Sequence, residues 1–171
     1  MFLIIDMQND FVDQERGRMV VKGADRLVNG IIEKIKKYEQ KKDLIFYTLD
    51  IHKKLPGDNR LEKEKQWGQE LYYPLKENLA KHISLEKYYY AISPKTSEEF
   101  KQKYGKEKCI ETIEIVGVET NVCVLANAVI FRNMFPKSEI IINNKLCLSS
   151  VLDLHEKALD IMVGLNMKAR V

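Results

Sequence analysis

The stretch IETIEIVGVETNVCVLANAVIFRNMFP, residues 110–136, decides the fold of this 171-residue chain. Its first nine residues, Ile110 to Val118, are rich in β-branched side chains and read as a buried strand. From Asn121 the sequence turns helical, and the helix stops at Phe135 because a residue preceding proline is steered away from helical dihedrals. A strand that passes so quickly into a helix is the unit of a sheet whose strands are buried on both faces by crossover helices.

The same alternation extends in both directions. Upstream, Phe2 to Ile5 reads as a first strand, and Ala24 to Lys41, with Leu27, Val28, Ile31, Ile32 and Ile35 on one face, as an amphipathic helix. Leu44 to Leu49 makes a second strand, Leu71 to Ala80 a short helix, and His82 to Glu86 a third strand. Ser97 opens a helix that Gly105 closes after Tyr104. Downstream, Ser138 to Ile142 is a fifth strand, Asp153 caps a last helix ending near Gly164, and Lys168 to Val171 adds a short edge strand. The fold class is α/β, one domain over residues 1–171. Lys53 to Gly68 is a long polar stretch without clear period, and loops of that length in compact domains are often functional or mobile.

Composition narrows the function. A 45% hydrophobic chain of this length can bury a core without staples, and three cysteines, Cys109, Cys123 and Cys147, form no paired spacing. The expected compartment is therefore reducing and cytoplasmic. Met1 to Ile5 is apolar but is cut short by Asp6 and Asp10, so neither a signal peptide nor a membrane span is expected. The net charge of +3 is small, and lysines alternate with glutamates in Glu33 to Lys37 and Glu62 to Lys65. Such faces are solvated surfaces, not a nucleic-acid site. No glycine-rich phosphate loop follows a strand, which disfavours dinucleotide binding.

Ligands of open parallel sheets sit outside the carboxyl ends of the strands. Asp6 ends the first strand, Asp50 the second and Lys87 the third, while Cys123 follows the fourth at the start of its helix. The positive end of that helix and a neighbouring lysine favour a thiolate, whereas the Asp6 carboxylate opposes it. Lowering an ordinary thiol by ~2 pKa units would make the thiolate the major form at neutral pH. The alternative reading of Cys123 is a small core residue; Cys109 and Cys147 are assigned to packing.

In order along the chain, Ile4-Ile5-Asp6-Met7-Gln8-Asn9-Asp10-Phe11, Thr48-Leu49-Asp50-Ile51-His52, Lys87, and Gly117-Val118-Glu119-Thr120-Asn121-Val122-Cys123-Val124 resemble the isochorismatase-like cysteine hydrolases, the superfamily of nicotinamidase and isochorismatase. The resemblance implies a doubly wound, three-layer α/β/α fold with a mostly parallel sheet of five or six strands. It implies Asp6, Lys87 and Cys123 as a catalytic triad, a cis peptide between Val118 and Glu119, and an oxyanion hole made by the backbone N–H groups of Glu119 and Cys123. It also implies a homo-oligomer acting on a small-molecule substrate.

In nicotinamidases an aspartate and a histidine of the second-strand motif bind a divalent metal with help from a later histidine. Asp50 and His52 match the first two, so a divalent ion (Zn, Mn or Fe) is a candidate cofactor. Residues 60–68 hold no histidine, leaving Glu62 or Glu64 as carboxylate alternatives. His82 and His155 are assigned structural roles. Phe11 and Trp67 are candidates for stacking a flat substrate, as are Tyr88, Tyr89 and Tyr90, with core or interface packing as the alternative. Three functions stay open at this point: hydrolysis of a small amide, hydrolysis of a vinyl ether, and a binding role that keeps the fold without the chemistry.

Overall fold

The computed structural model describes residues 1–51, 57–105 and 110–169. Five strands, β1 (Phe2–Ile5), β2 (Ile45–Asp50), β3 (Ile83–Lys87), β4 (Thr112–Val118) and β5 (Glu139–Leu148), form one parallel sheet in the order β3-β2-β1-β4-β5. Among the described residues, seven α-helices connect or flank them: α1 (Asn9–Val12), α2 (Leu27–Gln40), α3 (Glu62–Gln69), α4 (Leu75–Leu79), α5 (Pro94–Tyr104), α6 (Leu125–Met134) and α7 (Leu152–Gly164).

Side chains alternate across a strand, so each strand feeds two cores. Leu3, Ile5, Phe46, Ile113, Ile115 and Ile140 point to one face and pack with Phe100 of α5, Phe131 of α6 and Leu159 of α7. Phe2, Ile4, Ile45 and Val116 point to the other and meet Ile31 and Ile35 of α2 and Leu75 and Leu79 of α4. The sheet is therefore covered on both sides, as a doubly wound fold requires. Strand order reverses between β1 and β4, and a crevice opens at such a switch point. Gly117 lies beside it, with φ of 117°; a side chain there would run into the Ile5 carbonyl of β1.

Several boundaries differ from the sequence expectation. α5 begins at Pro94, not after Ser97: Ser93 is the cap, its hydroxyl accepting from the Thr96 N–H at 3.0 Å, and proline suits the first helical position. α7 begins at Leu152 after Val151, so Asp153 lies inside the helix and does not cap it. β5 runs on past Ile142 to Leu148, with a register shift against β4 over residues 143–146. The polar run Asn143-Asn144-Lys145 hides this continuation; Asn143 spends its amide on the Glu114 carboxylate at 2.8 Å. Lys168 makes an isolated parallel bridge to Ile141, and the remaining residues of the expected edge strand, Arg170 and Val171, lie outside the described residues. The polar stretch includes α3, an eight-residue helix that has no apolar period to announce it. No helix among the described residues is long and apolar enough to cross a membrane.

Candidate active site

The switch-point crevice is where the four strand-end residues meet, and each is placed by its backbone. Asp6 follows β1 in a left-handed conformation with φ of 48° and is fully buried. Aspartate tolerates that region better than most residues, and here one partner secures it. The Thr48 hydroxyl accepts from the Asp6 N–H at 3.1 Å and donates to its Oδ1 at 2.5 Å. Asp50 and Lys87 are register partners on β2 and β3, which brings their side chains to the same rim.

Cys123 sits on a single π-helical turn, Thr120–Val124, that leads into α6. The Val124 N–H bonds the Glu119 carbonyl at 3.0 Å, the five-residue spacing of a π turn, and such turns are often found at functional sites. The Val118–Glu119 peptide just before it is cis, as expected. Behind the turn, His155 Nδ1 lies 2.9 Å from the Thr120 hydroxyl, and the Glu119 carboxylate accepts from the Ser150 N–H at 2.6 Å.

The centre of the site is the Lys87 ammonium. It lies 2.8 Å from Asp6 Oδ2, 3.2 Å from Asp50 Oδ2 and 3.4 Å from Cys123 Sγ, and donates to the Tyr89 carbonyl at 2.9 Å. Burial alone would pull its proton off, but the Asp6 carboxylate above all, with the Cys123 sulfur and Asp50, reverses this and holds Lys87 protonated beyond its ordinary range. Burial pushes Asp6 up, partly countered by Lys87 and Thr48. The sequence set Lys87 and the helix end against Asp6 at the Cys123 thiol, and burial adds to the side of Asp6. Burial first and the Asp6 carboxylate second push the Cys123 pKa upward despite Lys87.

The remaining candidates separate clearly. Phe11 is 8% exposed and packs with the α2-side core. Trp67 is half-buried on α3 beneath the Arg16 guanidinium, 4.1 Å above its ring. Glu62 is paired with Lys65 and Glu64 accepts from the Leu61 N–H, so both serve the start of α3. His82 bonds Glu39 at 2.8 Å at the amino end of β3, a structural role as expected. His52 lies outside the described residues. Tyr88, Tyr89 and Tyr90 are exposed along a groove of about 530 Å³ that begins at Lys87 and is bounded by Pro94 and Ala126.

Three contributions went unnoticed in the sequence. Thr48 is one. Gln8 is a second: its amide donates to the carbonyls of Asp50 at 3.0 Å and Gln69 at 2.7 Å, tying the end of α3 to the rim of β2. The third is Asp10, fully buried, whose carboxylate takes both terminal nitrogens of Arg60 at 2.6 and 3.0 Å. Gly68 of α3 abuts that same carboxylate, so a methyl group at 68 would overlap it. Gly68→Ala is expected to destabilise the protein by about 1–3 kcal/mol by forcing Asp10 away from Arg60; an unchanged urea midpoint would show that the contact yields freely.

Away from the site, burial pushes the Cys147 thiol up to about 12 from an unfolded value of 9.0. The folded state thus keeps a proton that the unfolded chain releases above pH 9. Stability should fall as pH rises from 9 towards 12, by on the order of 1 kcal/mol per pH unit for this thiol, and Cys123 acts with the same sign. Urea unfolding at pH 8 to 11 checks this, and Cys147→Ala should flatten the decline; a stability independent of alkaline pH contradicts it.

An acid, a cation and a thiol at the switch point of a doubly wound sheet define a class: three-layer α/β proteins with a cysteine-centred site. The chain belongs to the isochorismatase family, whose domain profile matches residues 1–169. No curated protein matches it significantly in sequence. Among solved structures it is similar to the nicotinamidase of Staphylococcus aureus, at 23% identity over 98% of this chain and 95% of that one with a TM-score of 0.77. It is also similar to the nicotinamidase/pyrazinamidase of Bacillus subtilis, at 25% identity over 98% and 97% with a TM-score of 0.75. The pyrazinamidase of Pyrococcus horikoshii, solved in complex with zinc, matches at 21% identity over 98% and 96% with a TM-score of 0.74.

Proposed function

We propose that the protein is a cysteine-dependent hydrolase of a small-molecule amide, with Cys123 as nucleophile, Asp6 as general base and acid, and Lys87 as the cation that holds them together. The observation that carries this reading is the single ammonium in contact with both the Asp6 carboxylate and the Cys123 sulfur.

The chemistry follows from the resting state. Asp6 takes the thiol proton as sulfur bonds to the amide carbon, and the carbonyl electrons move onto oxygen. The N–H groups of Glu119 and Cys123 receive that oxyanion. Its collapse breaks the C–N bond, and Asp6 returns its proton to the departing amine. Asp6 then takes a proton from water, whose oxygen attacks the thioester, and passes it to the sulfur as the C–S bond breaks; the products are a carboxylic acid and the thiol. A raised Asp6 suits both halves, since a carboxylate that binds protons more readily is a better base here. The Tyr88–Tyr90 groove is of a size for a small flat substrate portion.

Among the described residues, a divalent ion fits the Asp6, Asp50 and Cys123 donor set poorly; the expected Asp50 and His52 pair includes a residue outside the described ones. Donor atoms of Asp6, Asp50 and Cys123 lie within 4.8 Å of one another, yet the Lys87 ammonium stands among them as their counter-charge. A second cation in that space would meet the first. No step of the mechanism is therefore drawn through a metal. The expected result is ammonia release from nicotinamide. A vinyl-ether hydrolase or a non-catalytic relative would release none.

A further inference from the structure

Lys87 and Cys123 react as neighbours in this scheme, although their elements are distant in the sheet. β3 is an edge strand, and β2 and β1 both lie between it and β4. The lysine side chain and the turn that carries Cys123 together close that distance. Something must hold the far ends in step.

Asn127, one turn after the nucleophile on α6, is fully buried and makes three hydrogen bonds with its carboxamide. Its Nδ2 donates to the Cys123 carbonyl at 2.7 Å and to the Tyr90 carbonyl at 3.0 Å, and its Oδ1 accepts from the Ile92 N–H at 3.2 Å. Tyr90 and Ile92 belong to the segment that leaves β3, and the carbonyl of adjacent Tyr89 receives the Lys87 ammonium. One amide therefore grips the nucleophile turn and the segment that anchors the lysine.

We propose that Asn127 is a positioning residue that fixes the approach of the Lys87 ammonium to the Cys123 sulfur. This inference rests on the cysteine-hydrolase reading above. A helix-stabilising role would need only the bond to Cys123, four residues back. The two bonds to Tyr90 and Ile92 reach outside the helix and have no use in it. Loosening them frees the Tyr89 carbonyl, lets the ammonium drift from the sulfur, and leaves the buried thiol with the Asp6 carboxylate as its nearer charge. Misplacements of about 1 Å in such sites cost up to roughly a hundredfold in rate.

The test compares Asn127→Ala with Asn127→Thr. A threonine hydroxyl can still bond the carbonyl four residues back but cannot span to Tyr90 and Ile92. The readout is the rate of Cys123 alkylation by iodoacetamide against pH, followed by mass spectrometry of its peptide, with melting temperature as the folding control. Both variants are expected to slow alkylation at neutral pH by roughly tenfold and to shift its profile to higher pH. Threonine guards against an alanine variant that fails to fold. A wild-type profile in folded Asn127→Thr would overturn the proposal, as would full rescue of the alanine defect by threonine. Failure of the amidase reading shows elsewhere, in wild-type protein that releases no ammonia from nicotinamide. The ratio between wild type and variants judges Asn127 alone.

Discussion

Cys123→Ala is expected to lower amide hydrolysis by roughly 10⁴-fold or more while leaving the fold in place. The loss is large because the sulfur forms the bond on which the later steps depend, and neither Asp6 nor Lys87 offers another nucleophile at that position. The fold survives because the substitution removes one buried sulfur atom from the end of a core cluster and no backbone hydrogen bond. A cost of about 1 kcal/mol is the expected scale. Steady-state ammonia release and a urea titration on the same preparation measure both halves.

Lys87→Met should be severe in both respects. The lysine is 1% exposed and touches the Asp6 and Asp50 carboxylates, so its removal leaves two neighbouring acids without their ammonium. Breaking a buried pair in this way costs about 3–5 kcal/mol. Rate should fall by at least ~10²-fold, because Asp6 then holds a proton and can no longer accept one from the thiol. The sign of the pH effect distinguishes this from simple loss of packing. Asp6 already has a raised folded pKa, and without Lys87 it rises further above the unfolded value of 3.8. The folded state then binds a proton that the unfolded chain gives up. Stability of Lys87→Met should decline as pH climbs from about 4 through the raised pKa, and recover on acidification, more steeply than in wild type. A pH-independent deficit would indicate lost packing instead.

Much of this arrangement could be read from the chain because the relevant residues obey local rules. Asp6, Asp50, Lys87 and Cys123 are polar residues at the ends of apolar strands, and a parallel sheet brings such ends to one rim whatever its detailed order. Ile113, Ile115 and Val116 announce β4 by composition, and Leu27, Val28, Ile31 and Ile35 announce α2 by period. What escaped notice depends on tertiary partners. α3 has no apolar stripe; it is secured from outside by the Asn9 amide on the Trp67 carbonyl at 2.7 Å and by Gln8 on that of Gln69. β5 looked five residues long because the polar run Asn143-Asn144-Lys145 interrupts its apolar pattern before Leu146, Cys147 and Leu148 rejoin the core.

Charge was the hardest property to read. A helix start and a lysine both argue for a thiolate, and from sequence their sum looks favourable. The structure adds the depth of burial, which spacing cannot supply and which joins the opposition of Asp6 already legible in the sequence. Thr48 and Asn127 were overlooked for a related reason. Each acts on a backbone group or carboxylate brought close only by the fold, 42 residues away for Thr48 and Asp6 and 37 for Asn127 and Tyr90.

The most direct test is to quench the enzyme rapidly during turnover of nicotinamide and weigh its peptides. A nicotinoyl thioester on the Cys123 peptide, lost in Cys123→Ala and accumulating with burst kinetics if its hydrolysis is slow, is the predicted result. Ammonia release at the wild-type rate from Cys123→Ala, with no acyl group found on the wild-type sulfur, would contradict a nucleophilic role for that residue.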